Sequence, residues 1–424
     1  MSASDHHLQQ TETPARTPSR QKRLAWLIPI LAWAMFIAGL AIRFGGDFSK
    51  FIIAGDQFCD RASTPANLHV YNDFAGYDGQ FYYRMSLAPF NFAPIAHGIR
   101  MDDICYRSQR WLYPLIVYCA SLGHERAVPA MMILVDITAV GIIALLFSRL
   151  LESHQYPPLW AAGLSLYPGL LISLSRDLTE AVAAAFLLGG CYFFCLKRYK
   201  TSSALLLCAV FTRETAALLP GIWCAQKIAG RMIPITDKQS TGADFPFYLA
   251  AIPVLGAMVS HVAVIHASGS MSVHGAAGEN ETIPFVGFYI LSFPFSGIYA
   301  SLSNSVHDLL QAERFFSKQG LFCAINIIQL AAMTLFFGFT AWIAMWNIRG
   351  RLSLWALPAL AYLTLNVCLM DYVWNDPSAY LRSATEAYLL GSLLALMAAE
   401  RRALMTISLL TSINWLCWCV IMLI

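Results

Sequence analysis

Charge is scarce in this chain: only 12% of its 424 residues are Asp, Glu, Lys or Arg, where a soluble protein carries about a quarter. That shortage excludes an ordinary water-soluble domain. Lys and Arg together outnumber Asp and Glu by only three, too small a surplus for a nucleic-acid partner. The 11 cysteines form no CxxC pair and lie mostly in apolar runs such as Cys191–Cys195 and Cys417–Cys419, which argues against a zinc module or a disulfide framework. Cys59 and Cys105 remain as one possible external disulfide. His266, His274 and His307 lack ligand spacing, so neither a metal nor a cofactor is expected. The apolar runs do not alternate with period two, so an outer-membrane barrel fits poorly.

What is abundant is apolar sequence. At 58% of 424 residues it amounts to about 246 residues, enough for about twelve helical spans. The fold class expected is all-α, a polytopic transmembrane bundle. Residues 1–23 read as a disordered polar tail ending in Arg16, Arg20, Lys22 and Arg23, and Leu24 to Ile42 as an uncleaved first span. Residues 24–424 then form one transmembrane domain, whose first loop, 43–126, is extracytoplasmic. Within that loop, 111–122 is too short to span and is read as an interfacial or docked helix. Further spans are expected near 127–149, 158–175, 179–196, 245–266, 320–346, 352–370, 385–399 and 403–424. The run 202–226 enters and leaves on one side, and 284–300, with Pro284 and Pro294, is read as a re-entrant candidate that does not cross. Placing Arg149, Lys197, Arg198, Lys200, Lys227, Arg231, Lys238, Arg349, Arg351, Arg401 and Arg402 in the cytoplasm satisfies the positive-inside rule with about nine full crossings.

The remaining charges gather at a few corners. In GYDGQFYYR, Gly76 to Arg84, two glycines let the chain turn sharply around Asp78, with Tyr77, Gln80, Tyr82 and Arg84 beside it. A carboxylate next to aromatic rings and a cation suits a sugar site with a general base, and also suits a structured interfacial loop. Arg107 and Arg110, three apart, would share a helix face able to hold phosphate, or snorkel to headgroups. Arg176, Asp177 and Glu180 would cluster if helical, for function or for mutual pairing. Arg213 and Glu214 are adjacent inside an apolar run, so they diverge and need separate partners, either around an anionic ligand or at a break between two short helices. Asp136, in mid-span, is read as a structural carboxyl. Arg382, at an external corner with Asp371, Asp376 and Tyr380, is a further candidate for phosphate.

Taken together, GDQF (Gly55–Phe58), GYDGQFYYR, YRSQRWLYP (Tyr106–Pro114), SRDLTEA (Ser175–Ala181), FTRET (Phe211–Thr215) and YLRSATEAY (Tyr380–Tyr388) resemble bacterial integral-membrane glycosyltransferases of the C-type superfamily, GT-C. Within it they are closest in pattern to multi-pass proteins of cell-surface glycopolymer formation. The resemblance implies a polyprenyl-phosphate sugar donor, a glycan or lipid acceptor, a bacterial inner-membrane location with the N-terminus cytoplasmic, and an acidic base in the first external loop. Carried over, that base is Asp78 or, second, Asp56, with arginines steadying the departing phosphate. No Asp-Glu or Asp-x-Asp pair follows the first span. A non-catalytic transporter, flippase or export and polymerisation component for the same lipid-linked glycan would use the same cations without needing a particular carboxylate.

Overall fold

The computed structural model describes residues 19–232, 245–269, 273–274, 282–283, 291–311, 317–348 and 352–423. The fold is helical. In chain order the helices are α1 (Ser19–Arg43), α2 (Gly79–Leu87), α3 (Ile104–Ser108), α4 (Leu112–Ala120), α5 (Val128–Ser153), α6 (Trp160–Ser165), α7 (Pro168–Ser175), α8 (Glu180–Cys195) and α9 (Tyr199–Thr212). They continue as α10 (Leu218–Met232), α11 (Tyr248–Ser268), α12 (Ser296–Gln311), α13 (Lys318–Asn347), α14 (Ser353–Val367), α15 (Asp371–Asn375), α16 (Pro377–Ser383), α17 (Thr385–Met397) and α18 (Arg401–Leu423). Strand pairing among the described residues is confined to two-residue pieces, including the parallel pair Ala54–Gly55 with Val70–Tyr71 in the first loop.

Five of these helices are long and apolar enough to cross a membrane: Arg23–Arg43, Glu125–Ser153, Tyr248–Ser268, Gln319–Asn347 and Arg401–Leu423. This is fewer than the nine full crossings read from the sequence. The difference comes from breaks that composition does not reveal. The run 158–175 is cut at Leu166 and Tyr167, where Pro168 opens α7 instead of continuing α6. Three further apolar helices, α8, α14 and α17, have only 16, 15 and 13 residues, and at 1.5 Å per residue they rise about 20–24 Å. Helix α1 also starts earlier than expected, at Ser19. Residues 1–18, Lys238, Arg349, Arg351 and 284–290 lie outside the described residues, and 291–295 lead into α12.

Apolar packing holds the bundle together. Helix α1 lies on α5, α6 and α18, α8 on α5 and α9, and α13 on α14, α17 and α18. Large rings fill the contacts: Trp33 meets Trp415 edge-on at 5.3 Å, and Tyr167 stacks on Tyr388 at 4.2 Å. The short segment 111–122 is docked, as anticipated, with Tyr113, Pro114 and Val117 of α4 buried against α2, α5 and α9. The run 202–226 breaks into α9 and α10 at Arg213–Ala217.

The bundle has two chemically distinct ends. Helix α8 starts at Glu180, α9 stops just before Arg213, and α17 starts one residue before Glu386. Their opposite ends lead into Lys197, Arg198, Lys200, Arg401 and Arg402. Along α8 the two ends stand about 24 Å apart.

Candidate functional site

The corners converge at one end of the bundle into a network of alternating charge. Asp78 sits at the N-cap of α2, yet its side chain makes no capping bond to the helix amides, the usual employment of Asp there. Instead Oδ1 lies 2.9 Å from Arg107 Nη2, and Oδ2 accepts from Arg382 Nη1 at 2.6 Å. Arg107 is held from behind by Asp102 at 2.6 Å. Arg382 reaches Glu180 at 3.7 Å, and Glu180 is 3.4 Å from Arg213, whose Nε lies 3.3 Å from Glu386. The order Asp102, Arg107, Asp78, Arg382, Glu180, Arg213, Glu386 therefore alternates without a gap. Beside it Arg110 grips Glu214 with two nitrogens, at 2.8 and 2.6 Å, and donates to the hydroxyls of Tyr82, at 2.8 Å, and Tyr106.

The first loop is built to fix Asp78. Gly76 takes a left-handed backbone, φ +79, which glycine adopts at no steric cost. Gln80 is a staple: its amide oxygen accepts from the Gly55 N–H at 3.1 Å and its nitrogen donates to the Ala75 carbonyl at 2.9 Å. Gly79 lets α2 rest directly on the corner after α7, since a Cβ there would meet the carbonyl oxygens of Arg176 at 2.4 Å and Ile52 at 2.8 Å. Gly79→Ala should therefore displace Asp78 from its two arginines. With misplacements near 1 Å costing about 100-fold in rate, activity should fall by about that factor while the protein still inserts, checked by specific activity at matched membrane level.

Burial is graded across the network. Glu180, Glu386 and Arg213 are enclosed, whereas the side chains of Asp78 and Arg382 are 17% and 18% exposed and form the open edge. Burial alone would raise the Asp78 carboxyl, but the guanidinium groups of Arg107 and then Arg382 outweigh it and hold the group well below the usual carboxylate range. Rings complete the edge: Tyr77 lies under Arg176 at 4.2 Å and Arg382 at 5.1 Å, while Arg107 lies over Phe81 at 4.8 Å.

Several expected members are used otherwise. Asp56 is exposed and its carboxylate accepts from the backbone N–H groups of Asp73 and Phe74 at 3.0 and 3.2 Å, so it ties the loop rather than entering the network. The residues Arg176 to Glu180 do not share a helix. The chain turns there with Asp177 at φ +52, sending Arg176 to Tyr77 and Glu180 inward, while Asp177 is fully buried with neither oxygen hydrogen-bonded. Burial pushes the Asp177 carboxyl well above the usual carboxylate range. Arg107 and Arg110 do not present a free phosphate fork, because each is already engaged by carboxylates. Arg84 is buried, donates to the Ala93 carbonyl and has no carboxylate partner among the described residues. Arg213 and Glu214 do take separate partners, at a break between two helices. Asp136 is buried in α5 with Oδ2 3.5 Å from the Tyr113 hydroxyl, and Cys59 and Cys105 are free thiols.

Sequence reasoning missed Asp102, Tyr106 and Glu386 as network members. Their signals were present: Asp102 stands five residues before Arg107, and Glu386, four after Arg382, is a lone acid at the head of an apolar helix. Among the described residues no group of three His, Cys, Asp or Glu side chains is disposed to hold a metal ion.

Next to the network, an apolar cleft of about 490 Å³ opens between α13 and α18. Its lining includes Tyr167, Phe336, Trp342, Ala384, Tyr388 and Arg402. Ala384 and Tyr388 flank Glu386 at one end of α17, and Arg402 follows the other end, so the cleft runs the length of that helix. Leu335 and Trp342, on its rim, are exposed. No protein-family model, curated protein or solved structure matches the chain.

Proposed function

We propose that this membrane protein is a GT-C-type glycosyltransferase that moves a sugar from a polyprenyl-phosphate carrier to a cell-surface glycan or lipid acceptor. The observation that carries the reading is one carboxylate, Asp78, held between two arginines at the open edge of a buried ion network, near an apolar cleft whose lining suits a lipid chain. In this reading the Asp78 end faces the extracytoplasmic side of the inner membrane and the end bearing Lys197, Lys200 and Arg401 faces the cytoplasm.

In the reaction the acceptor hydroxyl oxygen attacks the anomeric carbon, the bond from that carbon to the phosphate oxygen breaks, and the hydroxyl proton passes to Asp78. The departing polyprenyl phosphate keeps the bonding electrons, and Arg382 and Arg107 stabilise its growing charge. At rest those arginines are occupied by Asp78. An arriving donor phosphate competes for them, and a carboxylate released from two guanidinium groups becomes more basic. The arginines thus bind the donor and arm the base in a single exchange.

This exchange sets the pH dependence. Because its folded-state pKa is depressed, resting Asp78 stays ionised at and above the ordinary carboxylate value, about 3.9, and takes a proton only as pH falls below it. The pH profile of kcat/KM, which reports the free enzyme, should therefore lack an acid limb from Asp78 above about pH 4. The profile of kcat, which reports the bound complex, should show one at higher pH that disappears in Arg382→Lys or moves. Identical acid limbs in both profiles would remove the exchange.

The rival reading is a non-catalytic carrier of the same lipid-linked glycan, favoured by the fact that every arginine of the network already has a carboxylate. Its discriminating result is glycan movement that survives Asp78→Asn without release of free polyprenyl phosphate.

A further inference from the structure

A second apolar cleft, also of about 490 Å³, lies on another flank of the network and shares no helix with the first. It is bounded by α11, by the segment Phe90–Phe92 after α2, and by Trp111 and Phe211. Its floor is a row of rings: Trp111 lies 5.7 Å from Phe90 and 4.8 Å from Phe211. Charged members of the network adjoin that row along the chain. Trp111 follows Arg110, which grips Glu214, and Phe211 stands two residues before Arg213. The first cleft is closed off in the same way, by the stacked pair Tyr167 and Tyr388, next to Glu386. Each of the two apolar clefts is therefore lined by aromatic rings that stand within a few residues of network charges in the chain.

The second cleft opens on a face of α11 built for lipid: Leu255, Met258, Val259 and Val262 are 57–68% exposed. Its polar lining is sparse and local. Ser260 accepts from the Trp111 indole N–H at 3.1 Å, and Asn91 and Ser108 stand nearby. Along α11 the lining runs only from Gly256 to Ala267, a rise of about 17 Å, roughly half a hydrocarbon core of about 30 Å. That length suits a chain entering from one leaflet.

From this geometry we infer that the second cleft receives an acyl chain of the acceptor, so that the acceptor is itself a lipid of the leaflet on the Asp78 side and both substrates reach the network laterally from the membrane. The inference rests on the glycosyl-transfer reading and narrows its acceptor to an acyl lipid. A head-group hydroxyl carried above such a chain would stand at the same end of the bundle as Asp78. Soluble glycans would have no use for an apolar slot at that position.

The test uses the full chain in nanodiscs of phosphatidylethanolamine and phosphatidylglycerol, with a trace of phosphatidylglycerol bearing a photoreactive acyl chain. Adducts should concentrate on Phe90–Phe92 and Val259–Ala267 above those on the equally exposed α18 residues Leu409 and Leu416. Ala263→Trp, at an exposed position that should not disturb folding, should remove the excess. Adducts spread evenly over both helices, or unchanged in Ala263→Trp, would overturn the inference. In the same discs, a labelled polyprenyl-phosphate sugar should place its label in a chloroform-soluble acyl lipid, and Ala263→Trp should lower that product by about tenfold or more. Label transferred only to water-soluble product would also overturn it. If the parent protein turns over no donor at all, the glycosyl-transfer reading fails, and the acceptor assignment with it, while the adduct pattern separately decides whether the cleft holds lipid.

Discussion

Replacing Arg213 with methionine is expected to destabilise the protein by about 3–5 kcal/mol, the cost of removing one partner from a buried ion pair. Arg213 stands between two carboxylates that are almost fully enclosed, Glu180 and Glu386. Without it Glu180 keeps only the longer contact to Arg382, at 3.7 Å, and Glu386 keeps only the Thr215 hydroxyl, at 2.7 Å. Methionine preserves much of the volume, so the loss reports charge rather than a cavity. Adding Glu386→Gln should restore part of the stability, because one uncompensated charge is then gone, and the double-mutant cycle should return a coupling well above experimental scatter. Thermal unfolding in detergent measures all three variants. A loss below about 1 kcal/mol, the worth of a solvated surface pair, would mean that water reaches the pair.

Asp78→Asn is expected to remove glycosyl transfer almost completely. Loss of a general base typically costs 100- to 10,000-fold, and here the same substitution also leaves Arg107 and Arg382 without the carboxylate that separates them. Arg107 retains Asp102 and Arg382 retains Glu180, so both guanidinium groups keep a partner and the protein should still insert and fold. Donor binding should not fall in parallel, and a phosphate no longer competing with Asp78 should bind at least as well. Turnover and polyprenyl-phosphate binding measured on the same preparation separate the two effects. Unchanged turnover would reject Asp78 as the base.

Much of this architecture was legible in the sequence because lipid penalises charge. A chain with so few ionisable groups places them where they are paired or solvated: the corners at Glu180, Arg213 and Arg382 were visible as breaks between apolar runs, and Asp78 and Arg107 as charged motifs in the first loop. That Arg213 and Glu214 must part company followed from helix geometry, and they do. The partners were not legible, because each ion pair joins corners far apart in the chain, such as Asp78 with Arg382. The clustering of Arg176, Asp177 and Glu180 that a helix would give does not form, because nothing in the composition announces the left-handed turn at Asp177. Asp56 was indistinguishable from Asp78 by residue type and neighbouring glycine. Only the fold reveals that one carboxylate is spent on backbone amides while the other is left to the arginines. Where the apolar helices stop was not legible either, because apolar content does not record it: five described helices are long enough to cross by themselves, and α8, α14 and α17 are shorter.

In the proposed reaction the Asp78 network separates a lipid-linked sugar from its phosphate. The most direct measurement is release of free polyprenyl phosphate from a set of labelled polyprenyl-phosphate sugars by the purified full-length protein in nanodiscs, with Asp78→Asn beside it. The account predicts release from at least one donor by the parent protein and loss of that release, by about 100-fold or more, in the variant. Glycan moved across the bilayer with its phosphate bond intact, at equal rates in both proteins, would contradict it.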